Sequence, residues 1–249
     1  MLQALLYGKL SQEQENLEDL LTSSVFGILE YLPPATGLIP ILQLARFSDG
    51  SVDSVFFTMG LQILKIEFWP TYSVEAGSTE PDVVIWAQEP SGQRHIVLVE
   101  VKLWSSKSSR PDMNRENVTD QLGREWSVLV HLCKRDKSIP HLIYLTTDPL
   151  YPSFEINESA NESRIKHPER TSNYRFRCAW LSWLQIEEEF HASEERVLRD
   201  ISRACRKLDL VPFRGFSALT LGDLGWTFAG PNELYSFAVD AIPYEWRFR

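Results

Sequence analysis

Asp82, Glu100 and Lys102 are the residues of this chain whose types and spacing best suit chemistry. Strand side chains alternate between faces, so Glu100 and Lys102 point the same way. Their neighbours are apolar on both faces, which indicates burial, and buried carboxylates repel each other and resist ionisation. A divalent cation removes both penalties. Hard oxygen ligands suit Mg²⁺, or Mn²⁺ as a substitute, far better than zinc, so the pattern predicts a magnesium or manganese site.

Two extended segments position these residues. They are Val83 to Ala87 and His95 to Lys102, joined by a turn rich in turn-forming residues. With Ser91 at the middle of the turn, Asp82 lies nine residues before it and Glu100 nine residues after it. An antiparallel pair in this register sets the two carboxylates opposite each other on one face, with their Cβ atoms about 4.5–5.5 Å apart.

Pro81-Asp82, followed after a hairpin by Glu100-Val101-Lys102, resembles the signature of the PD-(D/E)XK nuclease superfamily, the restriction-endonuclease-like fold. The resemblance implies that Asp82, Glu100 and the Val101 carbonyl hold one or two Mg²⁺ ions. It also implies that Lys102 contacts the attacking water or the scissile phosphate. In the alternative interpretation, the hairpin lies at the surface and Glu100 and Lys102 simply form an ion pair.

A helix is predicted from Ser11 to about Leu32, because Ser11 opens a capping-box pattern and apolar residues then recur at helical spacing. Glu18 lies beside the apolar stripe of this helix. In the nuclease superfamily a helix before the core hairpin often supplies one more acidic residue to the metal site. The resemblance therefore makes Glu18 a candidate for metal binding and catalysis. A glutamate at the rim of the core that tolerates partial burial is the alternative.

A second helix is predicted from about Arg115 to Cys133, and Gln121 flanks its buried side. Many members of the superfamily carry a glutamine on the helix after the Glu-x-Lys strand. Asp120-Gln121-Leu122 is similar to that pattern, so the resemblance implies that Gln121 helps to place the nucleophilic water or the lysine. The alternative is an ordinary surface glutamine.

Basic side chains are candidates for contacts with a phosphate backbone. They lie in the polar loop after the Glu-x-Lys strand, on the helix that follows, and in the densest basic run of the chain. The candidate nucleic-acid-binding residues are Lys107, Arg110, Arg124, Arg164, Lys166 and Arg170. The alternative is a set of solvated loop and helix surfaces whose bases pair with neighbouring acids.

Further segments complete an α/β pattern. Strands are predicted at Leu61 to Trp69, His141 to Thr147 and Phe176 to Trp183, and a long amphipathic helix at Glu187 to Leu208. The order strand, helix, strand makes the His141 strand parallel to the Glu100 strand. Pattern and resemblance together predict a restriction-endonuclease-like fold with a mixed central sheet of about five strands flanked by helices.

Length and composition set further bounds. The 249 residues suit a single nuclease-like domain, 1–249, whose aromatic-rich C-terminal extension, 211–249, forms a dimer contact or a substrate wall. With 34 acidic and 25 basic residues, the net charge of −9 excludes a uniformly basic surface, so positive side chains must concentrate locally. Three widely spaced cysteines favour a reducing cytoplasm. We expect neither a membrane nor a nucleotide triphosphate as a partner, because the chain has no membrane-length apolar stretch and no P-loop.

The function that the resemblance implies is Mg²⁺-dependent hydrolysis of phosphodiester bonds in nucleic acid, with DNA favoured over RNA. A homodimer would supply the two sites that cutting both strands of a duplex needs, but no residue establishes one. Two alternatives stay open. One is a catalytically silent nuclease-fold module that serves as a binding or scaffold subunit of a DNA-processing or defence complex. The other is a small-molecule or structural α/β protein whose hairpin imitates the motif.

Overall fold

The computed structural model describes residues 14–74, 77–168, 174–212, 236–239 and 242–245. The chain divides into two compact units, 1–212 and 213–249. The described part of the first unit contains seven strands: β1 (Gln62–Phe68), β2 (Tyr72–Val74), β3 (Gly77–Thr79), β4 (Val83–Gln88), β5 (Arg94–Val101), β6 (Ser138–Thr146) and β7 (Cys178–Ser182).

The same part of the chain contains six α-helices and one 3₁₀ turn. The helices are α1 (Gln14–Glu30), α2 (Leu38–Leu42), α3 (Gln121–Asp136), α4 (Ser153–Lys166), α5 (Trp183–His191) and α6 (Arg196–Lys207). The 3₁₀ turn spans Ser54–Phe57. None of the helices in the described residues is long and apolar enough to cross a membrane.

The second unit is described over eight residues, which form an antiparallel hairpin of β8 (Ser236–Val239) and β9 (Ile242–Glu245). Most of the aromatic-rich C-terminal extension lies outside the described residues. A single domain that includes residues 211–249 therefore stays a prediction.

Five strands of the first unit form one mixed sheet in the order β1-β4-β5-β6-β7. β4 pairs antiparallel with both β1 and β5, whereas β5, β6 and β7 pair in parallel. The two parallel connections run through α3 and α4, as parallel strands require a crossover. The predicted α/β fold, with a mixed sheet of about five strands flanked by helices, is confirmed at this level.

The β4–β5 hairpin has the register that the turn predicted. Val83 pairs with Val99 and Gln88 pairs with Arg94, so each pair of positions is centred on Ser91. Gly92 has a φ of 88°, a conformation that glycine adopts without steric cost. The Gly92 N–H donates to the Glu89 carbonyl at 2.9 Å and closes the turn.

Helices cover both faces of the sheet and fix the hairpin between them. α1, α2, α5 and α6 pack on the face that carries Val83, Ile85 and Val99. α3 and α4 contribute to a second apolar cluster, on the face that carries Val84 and Leu98. Burying each such side chain contributes about 1.5–3 kcal/mol, so packing on both faces holds the hairpin in place.

Two helix predictions are corrected. α3 begins at Gln121 rather than near Arg115, because Asp120 is its N-cap and accepts from the Gly123 N–H at 3.1 Å. The helix predicted from Glu187 to Leu208 is two helices, α5 and α6. α5 begins with a Ser182 capping box and ends at His191. In the link to α6, the Ser193 carbonyl accepts from the Arg199 guanidinium at 2.6 Å. The capping box predicted at Ser11 lies outside the described residues.

Candidate active site

The candidate residues of the hairpin meet at the ends of two neighbouring strands. Asp82 directly precedes β4, and Glu100 and Val101 end β5. Because Val83 pairs with Val99, the next position outward sets Asp82 opposite Glu100. The Val101 N–H donates to Asp82 Oδ2 at 2.7 Å and holds the Asp82 side chain against the end of β5.

The Lys102 ammonium lies between two carboxylates. Its Nζ is 2.7 Å from Glu100 Oε1 and 3.7 Å from Glu18 Oε1. Glu100 is 1% exposed and Lys102 is 9% exposed. Glu100 and Lys102 therefore form an ion pair, as the alternative interpretation expected, but the pair is buried. Its burial excludes a hairpin that lies at the surface.

Glu18 reaches the same place from α1. Its Oε2 accepts from the Leu103 N–H at 2.7 Å and from Ser105 Oγ at 3.4 Å. The carboxylate therefore anchors the chain that leaves β5 and also lies beside Lys102. The structure brings Glu18 to the candidate site, and its direct role in metal binding stays a prediction.

Gln121, the first residue of α3, contacts the site through its amide group. Its Nε2 donates to Glu100 Oε1, and its Oε1 accepts from the Ser108 N–H at 2.7 Å. Both ends of the amide are thus fixed, so Gln121 connects Glu100 to the loop that follows β5. A surface glutamine is excluded by this pair of hydrogen bonds and by its burial.

Glu125 is a site residue that the sequence analysis missed. It lies on α3 one turn after Gln121 and is 0% exposed. Both of its carboxylate oxygens are buried, and no N–H donor in the described residues reaches them. Its polar contact is the Glu100 carboxyl, to which it is hydrogen-bonded. A signal was present in the sequence, because a glutamate four residues after Gln121 falls within the apolar stripe of the helix.

Burial and like charge raise the pKa values of two of the acids, Asp82 and Glu125. Desolvation, and then the Glu100 charge, raises the pKa of Asp82 to about 8, against the opposing effect of the Val101 N–H. Desolvation and Glu100 also raise the pKa of Glu125 well above its ordinary value. For Lys102, desolvation lowers the pKa, but the Glu100 carboxylate outweighs it and the net pKa shift is upward. Four carboxyl groups thus surround one ammonium, and some of them hold protons.

The oxygens of these groups are of the type that a divalent cation binds, but the groups as placed do not form a metal site. Glu100 Oε2 and both Glu125 oxygens are buried, and no N–H donor of the described residues reaches them, so the two carboxyls face only each other; desolvated Asp82 lies near Glu100. Such oxygens are costly to leave unpaired, and Mg²⁺ or Mn²⁺ would pair them. As the side chains stand, no three His, Cys, Asp or Glu groups of the described chain converge closely enough to hold a metal ion. In this arrangement the Lys102 ammonium neutralises Glu100.

Lys107 does not face a phosphate backbone, which corrects its predicted role. Its side chain is fully buried and forms an ion pair with Asp120. Its Nζ also donates to the Glu155 carbonyl at 2.9 Å and to Ser159 Oγ at 3.0 Å. The lysine instead ties the loop after β5 to α4.

Lys166 is corrected in the same way. Its Nζ lies 2.7 Å from Glu162 Oε1 and donates to the carbonyls of Asp112 and Asn117 at 2.8 and 2.7 Å. Its side chain is 6% exposed, so little of it can meet a ligand. Arg164 is exposed on α4, whereas Arg170 lies outside the described residues.

Arg110 and Arg124 line an open cleft of about 690 Å³ that the loop 109–119 encloses together with the start of α3. Arg115 lines it as well and forms a 3.4 Å ion pair with Asp112. Arg124 also binds the loop, because its guanidinium donates to Ser109 Oγ at 2.8 Å. The cleft is adjacent to Gln121 along the chain, whereas Asp82, Glu100 and Lys102 are not among the residues that line it.

The chain is similar to an uncharacterized bacterial protein. The chain is 25% identical over 222 residues to the uncharacterized protein PM0110 of Pasteurella multocida (strain Pm70), covering 82% of this chain and 78% of that one. No protein-family model matches the chain, and no solved structure matches it significantly. The name of this relative states no function.

Proposed function

We propose that the protein is a Mg²⁺-dependent nuclease of the PD-(D/E)XK type with a restriction-endonuclease-like fold. The observation that carries this proposal is the buried convergence of Asp82, Glu100 and Lys102 at the ends of β4 and β5. The mixed sheet, with α1 before the hairpin and α3 after β5, supports the fold assignment. Fold alone does not define an activity, so the site is the stronger argument.

Asp82, Glu100 and the Val101 carbonyl would hold the cation, and Glu18 is a further candidate ligand, since its Oε1 lies 3.7 Å from the Lys102 ammonium at the same site. When bound, Mg²⁺ neutralises phosphate charge and lowers the pKa of a bound water. Burial of Glu100 keeps bulk water from competing for its oxygens. The protein's own contribution is thus a fixed set of buried oxygen donors.

Lys102 and Gln121 would position the reacting groups. Lys102 stays protonated, because its pKa is raised, and its ammonium can hold the attacking water or the charge that develops on the phosphate. Gln121 fixes the Glu100 oxygen that pairs with Lys102. We place Gln121 as a positioning residue, since its two hydrogen bonds connect Glu100 to the backbone of the loop.

For substrate we propose nucleic acid, with DNA favoured over RNA. Arg110, Arg115 and Arg124 line one cleft together with Asp112 and Glu116, so the cleft has a small local excess of positive charge in a chain of net charge −9. Phosphate contacts of this kind position a backbone without reading its sequence. Service in bacterial defence or repair, in the cytoplasm, follows only by analogy with stand-alone nucleases of this type.

The test is cleavage of supercoiled plasmid, single-stranded DNA and RNA in Mg²⁺ or Mn²⁺, compared with EDTA. Asp82→Asn and Lys102→Met should each lower the rate by about 100-fold or more, because each removes a group that acts on the transition state. Lys65→Met is the matched control, since Lys65 is exposed on β1. Circular dichroism checks that each variant folds. Undiminished cutting by either site variant would exclude the assignment.

A catalytically silent module is the second candidate, and the direct pairing of Lys102 with Glu100 favours it. In that case the carboxylates persist as a buried ionic network that anchors α1 and α3. Calorimetric titration with Mn²⁺ separates the two candidates when it is combined with the cleavage assays. Metal binding without nicking of any substrate would support the silent module.

A further inference from the structure

We propose that His95 and His141 bind one excess proton between them, so that the pair is a single imidazolium held between the carboxylates of Asp53 and Glu89. These four side chains, called the quartet, form a proton-binding site that controls how two turns are attached to the sheet. His95 lies five residues before Glu100 on β5, which is about 17 Å along the strand. The quartet is therefore separate from the candidate active site.

The two imidazole rings lie on one face of the sheet and touch. His141 pairs with Val97, two residues after His95, so alternation along β5 puts both rings on the same side. His95 Nδ1 lies 3.0 Å from His141 Nε2. The outer ring nitrogens contact the acids, at 2.7 Å from Asp53 Oδ2 to His141 Nδ1 and at 3.0 Å from Glu89 Oε1 to His95 Nε2. Three polar contacts thus run in an unbroken line through the quartet.

Counting protons along this line decides its charge. A hydrogen bond needs one hydrogen between its two heavy atoms, so three contacts need three hydrogens. Two neutral imidazoles carry one ring proton each, and ionised carboxylates carry none. One contact would then lack a hydrogen and would set two lone pairs against each other. The quartet completes the line only by binding a third proton.

The third proton belongs to an imidazole rather than to an acid, since imidazole has an ordinary pKa of about 6.5 against about 4 for a carboxyl. For Asp53, desolvation raises the pKa, but the hydrogen bond and charge of His141 outweigh it, and Arg177 acts in the same direction, so the net shift is downward. Desolvation, and then the charge of His141, lowers the pKa of His95. His141 is therefore the imidazolium and donates to both Asp53 and His95. The neutral His95 donates to Glu89.

Packing keeps the quartet in line. The side chains of His95 and His141 are 3% and 5% exposed, whereas those of Glu89 and Asp53 are 25% and 22% exposed. The Phe56 ring packs against His141 with a centroid distance of 5.5 Å. The contact between the imidazoles is thus shielded, while the acids at both ends reach solvent. The bound proton links the segment before the 3₁₀ turn and the β4–β5 turn to two strands of the sheet.

The pH controls this link in one direction. The folded chain keeps a proton that an unfolded histidine releases near about pH 6.5. The contribution of this proton to stability is complete below that pH, and it is lost as the pH rises to the value at which the folded chain releases the proton. A fourth proton would turn two N–H groups toward each other, so the folded chain resists it.

Histidine ring ¹⁵N NMR on the metal-free full chain tests the proposal, because it counts ring protons directly. Single variants His131→Gln, His167→Gln and His191→Gln identify the signals of the other histidines. At about pH 7.5 an ordinary histidine is neutral. We expect three of the four ring nitrogens of the pair to carry a proton at that pH, with His95 Nδ1 as the one that does not. Any other count, such as the two protons of a neutral pair, overturns the proposal.

Asp53→Asn tests what holds the proton. The amide keeps an oxygen that can accept from His141 but removes the charge, so the pair should release its third proton at a pH about 1–3 units lower than in wild type. Asp49→Asn, at an exposed position of the same segment, controls for net charge and should leave the release pH unchanged. If Asp53→Asn does not fold, Glu89→Gln makes the same test from the other end of the quartet. An unchanged release pH in the variant that folds would show that these acids do not hold the proton, and the proposal would be wrong.

Discussion

At the scale of single residues, the candidate site is a place where acids are held together against their own repulsion. Asp82, Glu100 and Glu125 are desolvated beside one another, and one ammonium, Lys102, lies among them. Protons occupy part of this cluster in the metal-free protein, because the pKa values of Asp82 and Glu125 are raised. A metal ion and these protons compete for the same oxygens.

This competition predicts how stability depends on pH. The pKa of Asp82 rises from 3.8 to about 8, so the folded protein keeps a proton that the unfolded chain releases between these values. Raising the pH through this window should therefore lower the free energy of unfolding, by up to about 1.4 kcal/mol per pH unit for one group. Urea unfolding in EDTA from pH 5 to pH 8 measures the slope.

Asp82→Asn should flatten that slope, since the amide does not titrate. Asp19→Asn is the control for net charge, because Asp19 is exposed on α1. A slope that Asp82→Asn leaves unchanged would show that Asp82 does not hold this proton.

At the scale of elements, α4 holds in place the loop after β5, which contains Lys107 and Ser108. Lys107 in the loop pairs with Asp120 and donates to α4, and Glu162 of α4 accepts from the start of α3. The loop in turn donates to Gln121 through Ser108. Lys107, one of the basic side chains that suggested phosphate contacts, is therefore an internal connection between elements.

Lys107 and Arg110, two candidates for phosphate contacts in this loop, should respond to substitution in opposite ways. Lys107→Met leaves Asp120 buried without its partner and should destabilise the protein by about 3–5 kcal/mol. Arg110→Met, at an exposed position of the same loop, should change stability by less than about 0.5 kcal/mol. It should weaken binding to DNA and lower the salt dependence of that binding. Urea unfolding and fluorescence anisotropy measure the two effects. A stable Lys107→Met variant with weakened DNA binding would instead restore Lys107 as a phosphate contact.

At the scale of the whole molecule, the apolar clusters of the described chain lie within the first unit. Their residues run from Leu17 to Leu210. We therefore predict that a fragment of residues 1–212 folds cooperatively and melts within a few degrees of the full chain. A fragment ending at residue 195 is the control, because it lacks α6, whose Leu198 and Ile201 belong to the core. Thermal melts by circular dichroism compare the three chains. Failure of 1–212 to fold would favour one domain that includes residues 211–249.

Local sequence was enough for much of the fold. The turn around Ser91 and the alternation of apolar side chains predicted the hairpin and its register. The order of strands and helices predicted which strands are parallel. Helix ends were less predictable, because Asp120 and Ser182 act as N-caps through side-chain hydrogen bonds that periodicity does not encode.

The sequence by itself determined which residues share a face and which carboxylates oppose each other, because periodicity and turn length act over a few neighbouring residues. Only the tertiary structure decided which charged groups are buried and what they meet. Glu18 accepts from Leu103 across 85 residues of chain, and Lys107 is buried whereas Arg110 is exposed although both belong to one loop. Exposure and pairing depend on how distant elements pack. The same packing places the Glu125 carboxyl against Glu100, where no N–H donor of the described residues reaches it.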